Sequence, residues 1–142
     1  MKVEIFSVLD YNGNKNNEPE MLPMYLEHYT KNFPNSKINI FMCNFPTNYN
    51  GSEVSLLKKY GCHIKTIEFD NNEKYYEDIL NKEVKNYIEK ETNFRNSIWK
   101  DSKSDWVILC DIDEILFIDS EELKKINSDA IEFLTSLFRM SS

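Results

Sequence analysis

Short apolar runs alternate with helical periodicity along the chain. Four runs have the length and apolar content of buried strands, at 3–9, 38–43, 63–69 and 106–110. A fifth run, at 130–134, has the same character. Between the strands, apolar residues recur every three or four positions, which is typical of amphipathic helices. This order predicts an α/β fold, in which helices flank a mainly parallel sheet and the crossovers are right-handed.

Proline, glycine and capping residues set the boundaries of the first two helices. Pro19 suits the start of the first helix, and Pro34 ends it because proline cannot continue the backbone hydrogen-bond ladder. We predict that Ser52 caps the second helix. Gly61 then suits the left-handed position after its end.

The longest periodic segment, 79–99, predicts an amphipathic helix of about five turns. Trp99 falls on its apolar face, which indicates a core position. Either Asp119 or Ser120 is predicted to cap a short helix further along. The chain has 142 residues and shows no internal repeat, so we expect residues 1–142 to form a single domain.

Charge and composition exclude several classes of function. The chain carries 17 Lys and Arg against 24 Asp and Glu, so it lacks the basic face that nucleic-acid binding needs. No apolar run approaches the roughly 20 residues that span a membrane, and no signal-peptide pattern opens the chain. Cys43, Cys62 and Cys110 form no CxxC pair, which favours reduced thiols. We expect a soluble, cytoplasmic protein with no transmembrane segment and no nucleic-acid partner.

Polar residues directly follow the predicted strands. Asp10, Asn44 and Asp70 each follow one of the first three, and the acidic stretch 111–114 follows the fourth. Parallel α/β sheets bind their ligands beyond the carboxyl ends of the strands. These residues are therefore the first candidates for a binding site.

The acidic stretch carries the strongest chemical signal. If the chain stays extended there, Asp111 and Asp113 face one side and Ile112 faces the other. Two such carboxylates repel each other by roughly 3–4 kcal/mol at an effective dielectric constant of about 20. A divalent cation offsets that repulsion, and Mg²⁺ or Mn²⁺ suits hard carboxylate oxygens. The simpler alternative is an acidic turn whose charges face water.

The segment 106–117, an apolar run followed by Asp-x-Asp-Glu, resembles the D-x-D region of family-2-like glycosyltransferases with the GT-A fold. Two further motifs are similar to that family in order and spacing, namely Asn17-Glu18, Leu22 and Leu26-Glu27-His28-Tyr29, then Arg95-Asn96 and Lys103-Ser104-Asp105-Trp106. The resemblance spans almost the whole chain. It implies a Rossmann-like, nucleotide-sugar-binding half of a GT-A domain.

The resemblance also implies an activity and residue roles. The chain would transfer a sugar from a nucleotide-diphosphate donor to a hydroxyl of an unknown acceptor, which is a glycan, a protein or a lipid. Asp111 would contact the ribose or the metal, and Asp113 would bind the Mn²⁺ or Mg²⁺ that bridges the diphosphate. Arg95 would lie near the nucleotide. Ser7 and Asp10 would face the base or the ribose.

Two features depart from the family pattern. Family members often place an Asp after the second strand to read the base, whereas this chain has Asn44, which offers hydrogen bonds without charge. Inverting members take their general base from well beyond the D-x-D, and only 28 residues follow Glu114 here. We therefore assign no catalytic base. The alternative function is an inactive, truncated remnant that keeps only nucleotide binding or the fold.

Simpler interpretations stay open for individual residues. Arg95 fits one half of a surface ion pair as well as it fits a nucleotide contact. His28 is interpreted as a helical histidine whose hydrogen bonds are satisfied within the protein. Phosphatases of the haloacid-dehalogenase type also carry Asp-x-Asp after an apolar strand, but there the motif normally opens the domain, and here it begins at Asp111.

Overall fold

The computed structural model describes residues 1–11, 18–67 and 92–126. Their four strands are β1 (Val3–Asp10), β2 (Lys37–Cys43), β3 (His63–Ile67) and β4 (Trp106–Leu109). Every pairing is parallel, and the strands lie in the order β3-β2-β1-β4. The predicted α/β fold with a parallel sheet and flanking helices is confirmed.

Three helices have defined bounds in the described residues: α1 (Glu18–Asn32), α2 (Ser52–Lys59) and α3 (Ser120–Lys124). The chain is also helical at 92–97. α1 ends two residues before Pro34, as predicted. Asp119 caps α3, because its side chain accepts a hydrogen bond from the amide of Glu122 at 2.8 Å.

The start of α2 differs from the prediction. Gly51 is the N-cap and has no side-chain cap, while Ser52 is already the first helical residue, so the predicted Ser52 cap is wrong. A Cβ atom at Gly51 would lie 2.1 Å from the Tyr49 hydroxyl and 2.7 Å from a Glu53 carboxylate oxygen. This close approach explains why a glycine precedes the helix. Gly61 follows α2 with φ +71°, as predicted.

The main core lies between one face of the sheet and the helices. α1 contributes four buried side chains, which are Leu22, Tyr25, Leu26 and Tyr29, and Phe33 adds a fifth directly after the helix. β1 and β2 contribute alternate residues to the same cluster, namely Val3, Ile5, Leu9, Ile38, Ile40 and Met42. Because each buried side chain of this kind contributes roughly 1.5–3 kcal/mol, this layer holds α1 firmly on the sheet.

The opposite face of the sheet carries a second, smaller cluster. Phe6, Val8, Phe41 and Cys43 form it, and Phe94 from the helical segment 92–97 packs against it. The rings of Phe41 and Phe94 are 5.2 Å apart, edge to face. The segment that carries Arg95 therefore lies on the face opposite to α1.

Part of the predicted long helix has a different conformation. In the described portion of 79–99, the chain is helical at 92–97 and turns at 98–101. Trp99 is 40% exposed, so its predicted place in the core is wrong. The remainder of that helix, Asp70 and the strand predicted at 130–134 lie outside the described residues.

Among the helices that the structure describes, none combines the length and the apolar character that a membrane span requires.

Candidate metal and nucleotide site

The order of the strands creates a switch point at the carboxyl end of β1. From β1 the chain builds outward through β2 to β3, and it then returns to place β4 on the other side of β1. In parallel sheets, a ligand binds in the crevice where the order reverses in this way. β4 ends level with Phe6, where the amide of Cys110 still donates to the Phe6 carbonyl at 3.2 Å. The acidic stretch follows directly, beside the second half of β1.

The acidic stretch forms a tight turn. The amide of Glu114 donates to the carbonyl of Asp111 at 3.1 Å, while Ile112 is buried in the main core at 1% exposure. Carboxylate oxygens of Asp111, Asp113 and Glu114 all lie within 4.8 Å of one another. The extended conformation predicted for 111–113 is therefore wrong. Ile112 points inward as expected, but the turn brings Glu114 to the two aspartates. We call these three residues the acidic trio.

The three carboxylates of the acidic trio repel one another. Burial raises the pKa of Glu114 above its ordinary value, and the neighbouring carboxylates of Asp111 and Asp113 raise it further. Arg95 partly offsets this charge, because its guanidinium lies 2.6 Å from Asp111 Oδ1. Three carboxylates and one guanidinium leave two negative charges when all four groups are ionised.

The acidic trio fits a hard divalent cation by its donor set. All its side-chain ligand atoms are carboxylate oxygens, which Mg²⁺ and Mn²⁺ prefer, and all three residues are partly exposed. In the part of the chain that the structure describes, no other three metal-ligating side chains come equally close. The two net negative charges match the charge of such an ion. Asp111 and Asp113, both expected at a metal site from the sequence, are brought together with Glu114 as a third candidate ligand.

Arg95 is placed next to Asp111 by the helical segment 92–97. Both side chains are partly exposed, at 34% and 28%. The ion pair expected as the simpler interpretation is therefore present. It also lies at the carboxyl end of β4, where the nucleotide was expected, so both interpretations of Arg95 are compatible with one position.

Ser7 does not line the edge of the sheet that is formed by the carboxyl ends of the strands, where a ligand was expected. It is fully buried on the α1 side of β1, where its hydroxyl shares a hydrogen bond with the Tyr25 hydroxyl and lies 3.5 Å from the Cys110 sulfur. The expectation that Ser7 faces the base or ribose came from the family resemblance, which places residues near the end of the first strand at the nucleotide. The pleat of β1 turns its side chain into the main core instead.

Asp10 and Asn44 lie at the carboxyl ends of β1 and β2, as expected from the sequence. Asp10 is the last residue of β1 and is partly buried. Asn44 follows β2 with φ +60°, and its amide donates to the Ile67 carbonyl at 2.9 Å. This left-handed conformation suits asparagine, and it ends the pairing of β2 with β3.

Aromatic side chains gather at the same edge, which the sequence analysis missed. Tyr11 contacts Phe45 and Tyr49, with ring centroids 5.2 and 5.9 Å away, and Phe45 contacts Tyr49 at 4.9 Å. We call these three residues the aromatic cluster. Tyr11 is 38% exposed, and Tyr49 is fixed by a 2.7 Å hydrogen bond from its hydroxyl to Glu53. The signal in the sequence was an aromatic residue shortly after each of two strand ends, with Tyr11 directly after β1 and Phe45 two residues after the end of β2.

A scan against protein-family models and a search of curated proteins found no match to this chain.

Proposed function

We propose that this chain is a glycosyltransferase-like protein that binds a nucleotide-diphosphate sugar through Mn²⁺ or Mg²⁺ and transfers the sugar to an acceptor hydroxyl. The observation that carries the proposal is the acidic trio at the carboxyl end of β4, next to the switch point of a parallel sheet. A carboxylate cluster at this place suits a ligand that brings both phosphates and a cation.

In this proposal, Asp111, Asp113 and Glu114 hold the divalent ion. A bound ion of this kind neutralises a diphosphate and stabilises it as a leaving group. Arg95 adds a positive charge beside Asp111, and in this proposal its guanidinium contacts a phosphate oxygen. The protein thus supplies ligands for the ion and one fixed cation for the phosphates.

The aromatic cluster offers a surface for the nucleobase. Tyr11 follows β1, which lies between β2 and the strand that leads into the acidic trio, and part of its ring is exposed. Stacking on an aromatic ring favours any base without selecting one. We propose that Asp10 and Asn44, at the same edge, supply polar contacts to the base or ribose.

The proposed reaction exchanges one bond at the anomeric carbon of the sugar. An acceptor hydroxyl oxygen attacks that carbon, the bond to the diphosphate oxygen breaks, and the hydroxyl proton passes to a base. We assign that base to no residue of this chain.

The three cysteines form no disulfide, which supports the proposal that the protein works in the reducing cytoplasm.

Titration calorimetry with a panel of nucleotide sugars, with and without MnCl₂, tests the proposal. We expect binding that requires Mn²⁺ in the wild-type protein and is lost in Asp113→Ala. Asp101→Ala is the matched control, because Asp101 is an exposed acid outside the acidic trio. This control should bind like the wild type.

The same samples separate an active enzyme from a remnant. Release of nucleoside diphosphate from the bound donor, measured by chromatography, supports transfer or donor hydrolysis. Metal-dependent binding without any release favours the remnant. Absence of metal-dependent binding in the wild type, with Asp113→Ala behaving identically, overturns the donor site altogether.

A further inference from the structure

Two neighbouring residues of α1 hold the backbone that follows the acidic turn. The Tyr29 hydroxyl donates to the carbonyl of Glu114 at 3.0 Å, and the amide of Leu116 donates to the Tyr29 hydroxyl at 3.1 Å. His28 Nε2 donates to the carbonyl of Leu116 at 2.9 Å. We call these two side chains the α1 clamp. The clamp occupies three backbone groups within three residues of the turn.

The chemistry of Tyr29 suits a fixed anchor. Its side chain is fully buried, and burial raises its pKa well above the ordinary value, so the hydroxyl keeps its proton. The hydroxyl donates its proton in a hydrogen bond to the Glu114 carbonyl, and its oxygen accepts a hydrogen bond from the Leu116 amide. The hydroxyl is therefore engaged with the turn both as donor and as acceptor.

His28 is held in one orientation. Asn32 Nδ2 lies 3.2 Å from His28 Nδ1 and donates to the His28 carbonyl at 2.8 Å. With Nδ1 accepting from Asn32, the ring proton is on Nε2, which matches the bond to Leu116. The ring also meets Phe117 edge to face at 6.1 Å. Both members of the clamp are thus fixed before any ligand arrives.

We propose that Tyr29 and His28 are positioning residues that hold the acidic trio in the geometry that binds a divalent ion. This inference rests on the proposed function, because it assigns the clamp to the same site. The carboxylates of Asp111, Asp113 and Glu114 repel one another. If the backbone after the turn were not held in place, this repulsion would move the Glu114 side chain away from the two aspartates. Anchoring the Glu114 carbonyl and both polar groups of Leu116 to the rigid helix α1 keeps the carboxylates together.

Comparing Tyr29→Phe with Tyr25→Phe tests this inference. Both tyrosines are fully buried on the same face of α1 with rings 4.7 Å apart, but the Tyr25 hydroxyl bonds to Ser7 and not to the turn. Each variant removes one buried hydroxyl and keeps the ring. A purely structural role therefore predicts similar effects from both.

Two readouts separate the roles. Amide exchange by NMR, without metal, should show faster exchange of the Leu116 amide in Tyr29→Phe than in Tyr25→Phe. Titration with MnCl₂ alone should show about tenfold weaker binding in Tyr29→Phe and an unchanged Kd in Tyr25→Phe. His28→Gln, which keeps a donor for the Leu116 carbonyl, should retain most of the affinity.

The outcomes are distinguishable from those of the proposed function. If the wild type binds Mn²⁺ and the two Phe variants match each other in both readouts, the inference is overturned. If the wild type binds no Mn²⁺, the metal site fails, and with it the positioning role, even where the exchange data show that Tyr29 holds the turn.

A measurement on the wild type covers the case in which Tyr29→Phe does not fold. An ion that binds only the clamped turn should suppress its opening. Saturating MgCl₂ should therefore slow exchange of the Leu116 amide several-fold, with little change at the amide of Tyr25 in the middle of α1. Equal rates at Leu116 with and without Mg²⁺ contradict the inference.

Discussion

At the scale of single residues, Asp111 contacts one positive charge, that of Arg95, and is proposed to bind a second, that of the divalent ion. Its carboxylate already contacts the Arg95 guanidinium at 2.6 Å, and it belongs to the acidic trio proposed to hold an ion. Both partners reduce the same repulsion. An ion that enters the site must therefore share Asp111 with Arg95, and this competition is measurable.

Arg95→Gln should tighten Mn²⁺ binding to the nucleotide-free protein. A partly exposed ion pair is worth up to about 1 kcal/mol, so Kd should fall by up to about fivefold. The same variant should weaken binding of the nucleotide sugar at saturating Mn²⁺, since a phosphate contact is lost. Calorimetry with MnCl₂ alone, then with the donor, measures both effects. Arg95→Lys keeps the charge as a control, and an unchanged Mn²⁺ affinity in Arg95→Gln would show that Asp111 is not shared.

Tyr11→Ala should weaken nucleotide binding while leaving Mn²⁺ binding intact. Stacking of one base on an aromatic ring contributes about 1–3 kcal/mol, or roughly 5- to 150-fold in Kd. Tyr11→Phe keeps the ring and should bind like the wild type. Calorimetry with a nucleoside diphosphate at saturating Mn²⁺ provides the measurement. Equal affinities for all three proteins would place the base away from the aromatic cluster.

At the scale of elements, Glu4 ties three parts of the fold together. Its carboxylate on β1 accepts hydrogen bonds from Ser102 at 3.0 Å, from Ser104 at 2.9 Å and from Asn39 of β2 at 3.2 Å. The two serines precede β4. Glu4 therefore helps to place β4 beside β1, and with it the start of the acidic turn.

Glu4→Gln should destabilise the protein by about 1–2 kcal/mol, because a neutral amide oxygen accepts hydrogen bonds more weakly than a carboxylate and the amide nitrogen accepts none. Burial raises the pKa of Glu4, but the hydrogen bonds from Ser104, Ser102 and Asn39 outweigh it and leave the pKa below the ordinary value of 4.5. A lowered pKa in the folded state means that the stabilisation is present above about pH 4.5 and is lost as the pH falls through the folded pKa. Urea unfolding at pH 7 and pH 3.5 should show a large, then a smaller, difference between variant and wild type.

Glu27→Gln is the control for this measurement, since Glu27 is exposed on α1. It should change stability by less than about 0.5 kcal/mol at either pH. A difference for Glu4→Gln that stays constant across this pH range would mean that the charge of Glu4 does not matter.

Gly61→Ala should destabilise the protein by about 1–2 kcal/mol through backbone conformation alone. Gly61 has φ +71°, and a Cβ atom there meets nothing within 4 Å. The cost is therefore that of placing an L-residue in the left-handed region. Gly61→Asn should cost less, because asparagine tolerates this conformation. Urea unfolding measures both, and equal stability of Gly61→Ala and wild type would contradict the assigned conformation.

The sequence predicted those elements whose signals are local. Strand bounds follow from apolar runs such as the one before Asp111, and the end of α2 follows from Gly61. The start of α2 did not follow, because the choice of Gly51 depends on contact with Tyr49 and Glu53. A capping rule takes only residue types into account and does not include these contacts.

The candidate site was predicted to a similar extent. Strand order and polarity indicated Asp111 and Asp113, but the addition of Glu114 needs the turn, which forms as Ile112 enters the core. Ser7 was misplaced because its partner Tyr25 is 18 residues away in the sequence. Contacts of this kind are set by how α1 packs on the sheet, and periodicity alone does not determine them.

At the scale of the whole molecule, net negative charge and cation binding are connected. The chain carries a net charge of −7 and has only two arginines, one of which is Arg95 beside the acidic trio. An acidic molecule attracts divalent cations and repels free diphosphates. We therefore expect the ion to bind before the nucleotide, or together with it, with nucleotide affinity in metal-free buffer close to the detection limit.

Protonation of Glu114 should couple ion binding to the stability of the whole fold. Burial first, and then the charges of Asp111 and Asp113, raise the pKa of Glu114 above 4.5 in the metal-free protein. The folded state therefore holds this proton more tightly than the unfolded chain does. The contribution of the Glu114 proton to the free energy of unfolding is fully present below about pH 4.5, and it is lost as the pH rises through the pKa of Glu114 in the folded state.

A divalent ion needs the deprotonated carboxylate, so its affinity should rise over the same pH range. The stability gained from Mn²⁺ should accordingly be small at pH 5 and grow towards pH 7.5, reaching about 2.7 kcal/mol when the ion is present at 100 times Kd. Urea unfolding in EDTA and in MnCl₂ at each pH measures this gain. Glu114→Gln should reduce the gain and remove most of its pH dependence, while Asp101→Asn should leave both unchanged. A gain that is equal at pH 5 and pH 7.5 in the wild type would show that the ion does not displace the Glu114 proton, and Glu114 would then lie outside the ligand set.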